Sequence, residues 1–141
     1  MNITVKRENN KFHFIAKNSS GNELHIDANP LIGGENKGAR PMEMLLMALG
    51  GCSGIDIVSI LKKQRSEEFH LQIDINAQRE EGKEPALFEV INMQFIFSGN
   101  LDAEKAKRAV DLSMQKYCSV AKTLEKTAQI NYVIKLNENI L

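Results

Sequence analysis

The sequence has no tryptophan, only two cysteines and three prolines, and no excess of charge of either sign among its 141 residues. Two cysteines cannot build the dense disulfide framework of a small secreted domain. Eighteen basic residues against eighteen acidic ones give a formal net charge of zero, and no block of like charges stands out. The usual electrostatic argument for a nucleic-acid partner or an anionic membrane surface is therefore missing. Hydrophobic residues make up 43% of the chain, enough for a core and too much for a disordered tail. The length suits a single domain, residues 1–141. The two cysteines are then either small buried hydrophobes or reagents.

The N-terminus, MNITVKRENNKFHF, is polar within seven residues and carries no secretory pattern. Free cysteines fit a reducing, cytoplasmic location. One run, Met44 to Leu61, is about long enough to span a bilayer. It holds Asp56, two serines and three glycines, and an ionised Asp near the centre of a spanning helix is costly. A core helix, and no membrane, is the reading that follows.

The elements alternate in kind. Ile3 to Val5, Phe12 to Ala16 and Glu23 to Asp27 are short alternating runs separated by polar turns, which predicts a small antiparallel sheet. A glycine-rich loop from Asn29 to Arg40 leads to Pro41, a residue at home in a first helical turn. The helix expected from there to about Gln64 is apolar nearly all round, as in a helix enclosed on most sides. Phe69 to Gln78 and Leu87 to Phe97 read as two long strands. Asp102 caps a helix from Ala103 to about Tyr117, with Ala106, Ala109, Val110 and Ser113 facing inward. A short helical piece around Val120 to Lys126 and a strand from Gln129 to Leu136 complete an α+β order of βββ-α-ββ-α-β.

Cys52 lies in Leu49-Gly-Gly-Cys-Ser-Gly-Ile, inside the expected central helix. Each glycine there costs about 1 kcal/mol against alanine. Gly50 and Gly54 share a face and allow another element to pack closely, or the glycines leave the sulfur open to approach. Asp56 shares the Cys52 face at i+4, whereas Glu43 falls half a rotation away on a straight helix. Cys118 ends the next long helix, in Lys116-Tyr-Cys-Ser-Val. There is no C-x-x-C. The histidines His13, His25 and His70 sit on expected strands, and no four-ligand spacing suggests zinc. The loop Gly33-Gly-Glu-Asn-Lys-Gly38 lacks a phosphate-binding pattern, and no serine lies in a nucleophile elbow.

Arg40-Pro-Met-Glu-Met-Leu-Leu-Met-Ala-Leu-Gly-Gly-Cys52, continued by Ser-Gly-Ile-Asp-Ile-Val, together with Lys116-Tyr-Cys118-Ser-Val, resembles the OsmC/Ohr superfamily. These are bacterial osmotically induced and organic-hydroperoxide-resistance proteins. The resemblance covers essentially the whole chain, and the KYCSV form is nearer the less characterised OsmC-like branch. It implies an OsmC-like fold in an intertwined homodimer, with the long central helices buried at its heart. It also implies a thiol peroxidase for small organic hydroperoxides, with Cys52 peroxidatic and Cys118 resolving, restored by an external thiol or lipoyl dithiol. No bound cofactor or metal is implied.

The family's acid usually follows the proline directly. Met42 takes that place here, and Glu43 the next. For the family's arginine, Arg40 is the candidate by its nearness to the helix start, and Arg7 by region. The alternative is a non-catalytic module of the same fold, binding an apolar or thiol-reactive small molecule in the dimer cleft, with Met42, Met44 and Met47 as a pliable lining.

Overall fold

The three alternating runs near the N-terminus pair as expected. In the computed structural model, which describes residues 1–66 and 68–141, β1 (Ile3–Arg7), β2 (Phe14–Asn18) and β3 (Glu23–Ile26) form an antiparallel sheet in that order. They belong to the first of two compact units, residues 1–47 and 48–141. β2 starts two residues later than the alternation suggests, because the turn before it is longer. Asn9 Oδ1 there accepts the backbone N–H groups of Lys11 and His13 at 2.9 and 3.4 Å. His13 and His25, on neighbouring strands, meet with Nε2 and Nδ1 2.8 Å apart. Asp27, only 2% exposed, ends the sheet and organises the loop behind it. Its carboxylate accepts the N–H groups of Ala28, Glu35 and Lys37 at 2.8, 2.9 and 3.0 Å.

The helix α1 (Pro41–Lys63) begins in the first unit and ends in the second, within one residue of the expected limits. It is not enclosed on most sides within this chain. Its buried residues are Leu49, Ser53, Ile57 and Leu61, one i, i+4 stripe, and Ile55 on another side is 72% exposed. Much of the apolar surface of the helix is thus left uncovered within this chain. α1 is long and apolar enough to cross a membrane by length and composition. Its packed stripe and its central Asp56 mark it instead as a core helix.

The second unit holds a four-stranded sheet in the order β4-β5-β6-β7. β4 (Phe69–Arg79) and β5 (Phe88–Gly99) form a long antiparallel pair. Phe69, Leu71, Ile73, Ile75 and Ala77 alternate with exposed residues, as their spacing predicts. The pairing shifts register between Gln78 and Arg79. That irregularity breaks the alternation of β5, so that Phe88 and Ile91 are both buried. Beyond it, Ile91, Met93, Phe95 and Phe97 form the buried row at the centre of the core.

β6 (Gln129–Leu136) runs parallel to β5, and the two-residue strand β7 (Asn139–Ile140) folds back along it. A parallel neighbour needs a crossover. Here it is α2 (Ala103–Leu112), a wide turn, and α3 (Ser119–Leu124). Asp102 caps α2 by accepting the Lys105 N–H at 2.9 Å, and Ala106, Ala109 and Val110 are fully buried.

Candidate active site

Three side chains of the second unit converge on one point. The sulfurs of Cys52 and Cys118 and a carboxylate oxygen of Asp56 all lie within 4.8 Å of one another, although the cysteines are 66 positions apart in sequence. Both cysteines are free. Cys52 and Asp56 stand one helical turn apart on α1, on the face that their i, i+4 spacing dictates.

The glycines beside Cys52 divide into two kinds. A Cβ on Gly50 would meet Ile75 Cδ1 at 3.2 Å, and one on Gly54 would meet Ile73 Cδ1 at 3.3 Å. Close packing against β4 therefore accounts for both. A Cβ on Gly51 would meet nothing within 4 Å, so the helix side next to Cys52 is open in this chain. Gly50 and Gly54 match the packing reading of the sequence, and Gly51 faces open space.

Cys118 reaches the site through a local irregularity. The helix expected to continue to Tyr117 stops at Leu112, and residues Ser113–Tyr117 widen into a π turn. Cys118 closes it, its N–H donating to the Ser113 carbonyl at 2.8 Å. π turns of this kind recur where a helix must present functional groups. The chain then turns to an extended conformation at Cys118, which becomes the N-cap of α3. Its sulfur accepts the N–H of Ala121 at 3.4 Å. Full burial pushes the Cys118 thiol up to about 11; the neighbouring Cys52 sulfur adds to the rise, and the backbone N–H groups of Ala121 and Val120 oppose it.

Ser113 stands beside the carboxylate. Its buried hydroxyl lies 3.3 Å from Asp56 Oδ2 and 3.3 Å from the Ser53 carbonyl, and can donate to either. Among the described residues of this unit, no cationic side chain donates to either sulfur. Asp56 also lines an open groove of about 430 Å³, with Ser59, Lys63, Gln64, Arg108 and Tyr117 among its other lining residues.

The other expected site residues make their contacts within the first unit. Arg40 directs its guanidinium to Asn36 Oδ1 and to the carbonyls of Gly38, at 2.9 Å, and Asp27, at 3.5 Å. Glu43 accepts the Arg40 backbone N–H at 2.8 Å, capping the start of α1 rather than pairing with the guanidinium. Arg7 folds over its own hairpin turn onto the carbonyls of Lys11 and Asn10, at 2.9 and 2.5 Å. Asp56 and Ser113 are the site residues that the sequence did not single out as functional. The i+4 spacing from Cys52 was a signal for Asp56. Nothing local marks Ser113, whose partner is 57 positions away.

The geometry has parallels. The family model for OsmC-like proteins matches residues 34–133. Protein YhfA of Escherichia coli strain K12 is 43% identical over 120 residues, covering 84% of this chain and 86% of that protein. The crystal structure of a hypothetical protein from Aquifex aeolicus VF5 superposes with a TM-score of 0.78 at 32% identity, over 97% of both chains. An organic hydroperoxide resistance protein from Legionella pneumophila shares the fold, with a TM-score of 0.66 at 12% identity over 96% of both chains.

Proposed function

The chain belongs to the OsmC-like protein family, a branch of the OsmC/Ohr superfamily, and from that premise we propose that it is a cysteine-based peroxidase for organic hydroperoxides. The observation that carries the reading is the meeting of Cys52 and Cys118 at one point, beside a helix face left open at Gly51.

Burial separates the roles of the two sulfurs. Cys118 is fully buried, with its thiol pushed up to about 11, and Cys52 is the accessible one. Reactive cysteines are partly exposed and inert ones are buried, so Cys52 is the group that meets substrate. Its thiolate attacks the terminal oxygen of ROOH, the O–O bond breaks, and ROH leaves with a proton from solvent. Cys52 is then a sulfenic acid. The Cys118 thiol attacks that sulfur, the S–O bond breaks, and water leaves as the Cys52–Cys118 disulfide forms. An external dithiol, a thiol or lipoyl group, reduces it by exchange and is itself oxidised to a disulfide.

We assign the uncovered sides of α1 to a second copy of the chain. Ile55 is 72% exposed in the middle of an apolar helix, and burial of such a residue stabilises by about 1.5–3 kcal/mol. A homodimer also offers a source for the cation that the thiol pair lacks within its own unit. The two reduced thiols suit a cytoplasmic location.

Among the described residues of this unit no cationic side chain donates to either sulfur, and this favours a second reading, a non-catalytic module that holds a small apolar or thiol-reactive molecule. One titration separates the two. Reduced protein is mixed with equimolar cumene hydroperoxide and its free thiols are counted. Loss of two thiols per chain, abolished by Cys52→Ser, is expected of the peroxidase. Retention of both thiols rejects it in favour of the binding module.

A further inference from the structure

Two sulfurs and a carboxylate oxygen within 4.8 Å of one another have a second chemical capacity. The geometry points to a metal site: we propose that the reduced protein binds one thiophilic divalent cation, of the zinc type, through Cys52, Cys118 and Asp56. The site rests on the reduced cysteines and not on the hydroperoxide reading.

The donor set selects the ion. Zinc bonds to thiolate at about 2.3 Å and to carboxylate at about 2.0–2.2 Å, which in a tetrahedron places the donors roughly 3.5–3.8 Å apart. The three atoms found here need only rotate inward by small amounts to reach that spacing. Magnesium and calcium prefer oxygen donors, and two thiolates exclude them.

The surroundings fit as well. Ser113 is positioned to hold the Asp56 carboxylate, its hydroxyl 3.3 Å from Oδ2, the outer-shell bond that orients a metal-ligating carboxylate. Asp56 lines the open groove, and a water would complete the set of four, as in zinc sites with three protein ligands. Two thiolates and one carboxylate carry three negative charges. A divalent ion reduces that to one, and Lys63 and Arg108 line the same groove. The ligands escape a search along the sequence because two lie one helical turn apart and the third follows 62 residues after Asp56.

Binding replaces the two thiol protons, which leave to solvent. A disulfide between the same sulfurs leaves no thiolate to ligate, so oxidation and metal binding exclude each other.

The test uses the full chain, reduced and kept anaerobic. Zinc is titrated against a chromophoric chelator, and cobalt(II) is added separately as a spectroscopic probe. One ion per chain is expected, with thiolate-to-cobalt charge-transfer absorption in the near ultraviolet and the visible bands of four-coordinate cobalt. Ser113→Ala should weaken zinc binding by about 10–100-fold, as loss of an outer-shell partner does, and Asp56→Asn by at least as much. Protein oxidised with diamide should bind none. Absence of the charge-transfer band in the wild-type protein overturns the proposal without any variant having to fold. So does zinc binding retained in Cys118→Ser or in the oxidised form, which would place the ion elsewhere, for instance at His13 and His25.

Discussion

The sulfur of Cys118 accepts the backbone N–H of Ala121 at 3.4 Å, so the proposed resolving cysteine is also the cap of α3. A serine hydroxyl is a better cap than a thiol, and alanine is a poor one. Cys118→Ser should therefore fold with wild-type stability, whereas Cys118→Ala should lose about 0.5–2 kcal/mol. Urea unfolding of the three reduced proteins at pH 7 checks this. Equal loss in the serine and alanine variants would show that the cap contributes nothing.

Burial of the same thiol makes stability depend on alkaline pH. The unfolded thiol loses its proton near its ordinary value of 9.0, but the folded one holds it to about 11. Folded-state ionisation is thus the disfavoured one, and the contribution is fully present below pH 9. It is lost as the pH rises from about 9 toward 11, where the unfolded state binds fewer protons. The urea midpoint should fall over this range in the wild type and stay flatter in Cys118→Ser. Iodoacetamide at pH 8 should label Cys52 alone.

At the other end of the pH scale, Asp27 is the sensitive group. The Lys37 N–H contributes most to holding its carboxyl below the usual range, and those of Glu35 and Ala28 add to it. A depressed folded-state value stabilises above the unfolded value, and the gain disappears as pH falls through the folded one. Relative to their intrinsic exchange rates, the amides of Glu35 and Lys37 should be protected at neutral pH, and the protection factors should fall in acid. Asp27→Asn should abolish that protection at neutral pH. Persisting protection in the variant would assign the loop's order to other contacts.

Self-association should depend on the open side of α1. Ile55→Glu puts a charge where we place a second copy. It is expected to shift the protein from dimer to monomer in sedimentation velocity, with helical content retained. A monomeric wild type would remove this assignment.

Much of this was legible from periodicity. Alternation at period two located the paired strands, and β6 matches its expected limits. Pro41 marked the start of α1. Where reading failed, the cause was non-local. The wide turn after Leu112 has no sequence signature, since Ser-Met-Gln-Lys-Tyr would serve an ordinary helix equally well. β7 is too short to show a period. The exposed sides of α1 illustrate the converse: hydropathy reports that a surface is to be covered, and not by which chain. Asp56 was visible as a neighbour of Cys52, but only the fold brings Ser113 and Cys118 to it.

The segment between the cysteines contains β4, β5 and α2, the greater part of the second unit's framework. A bond between the two sulfurs would enclose all of it in one covalent ring. By the chain-entropy model, closing a ring of that length lowers the entropy of the unfolded chain by an amount worth about 4 kcal/mol. Oxidation would then act on durability as well as chemistry. The oxidised form would be the one hardest to unfold or digest, and reduction would return it to a looser, shorter-lived state.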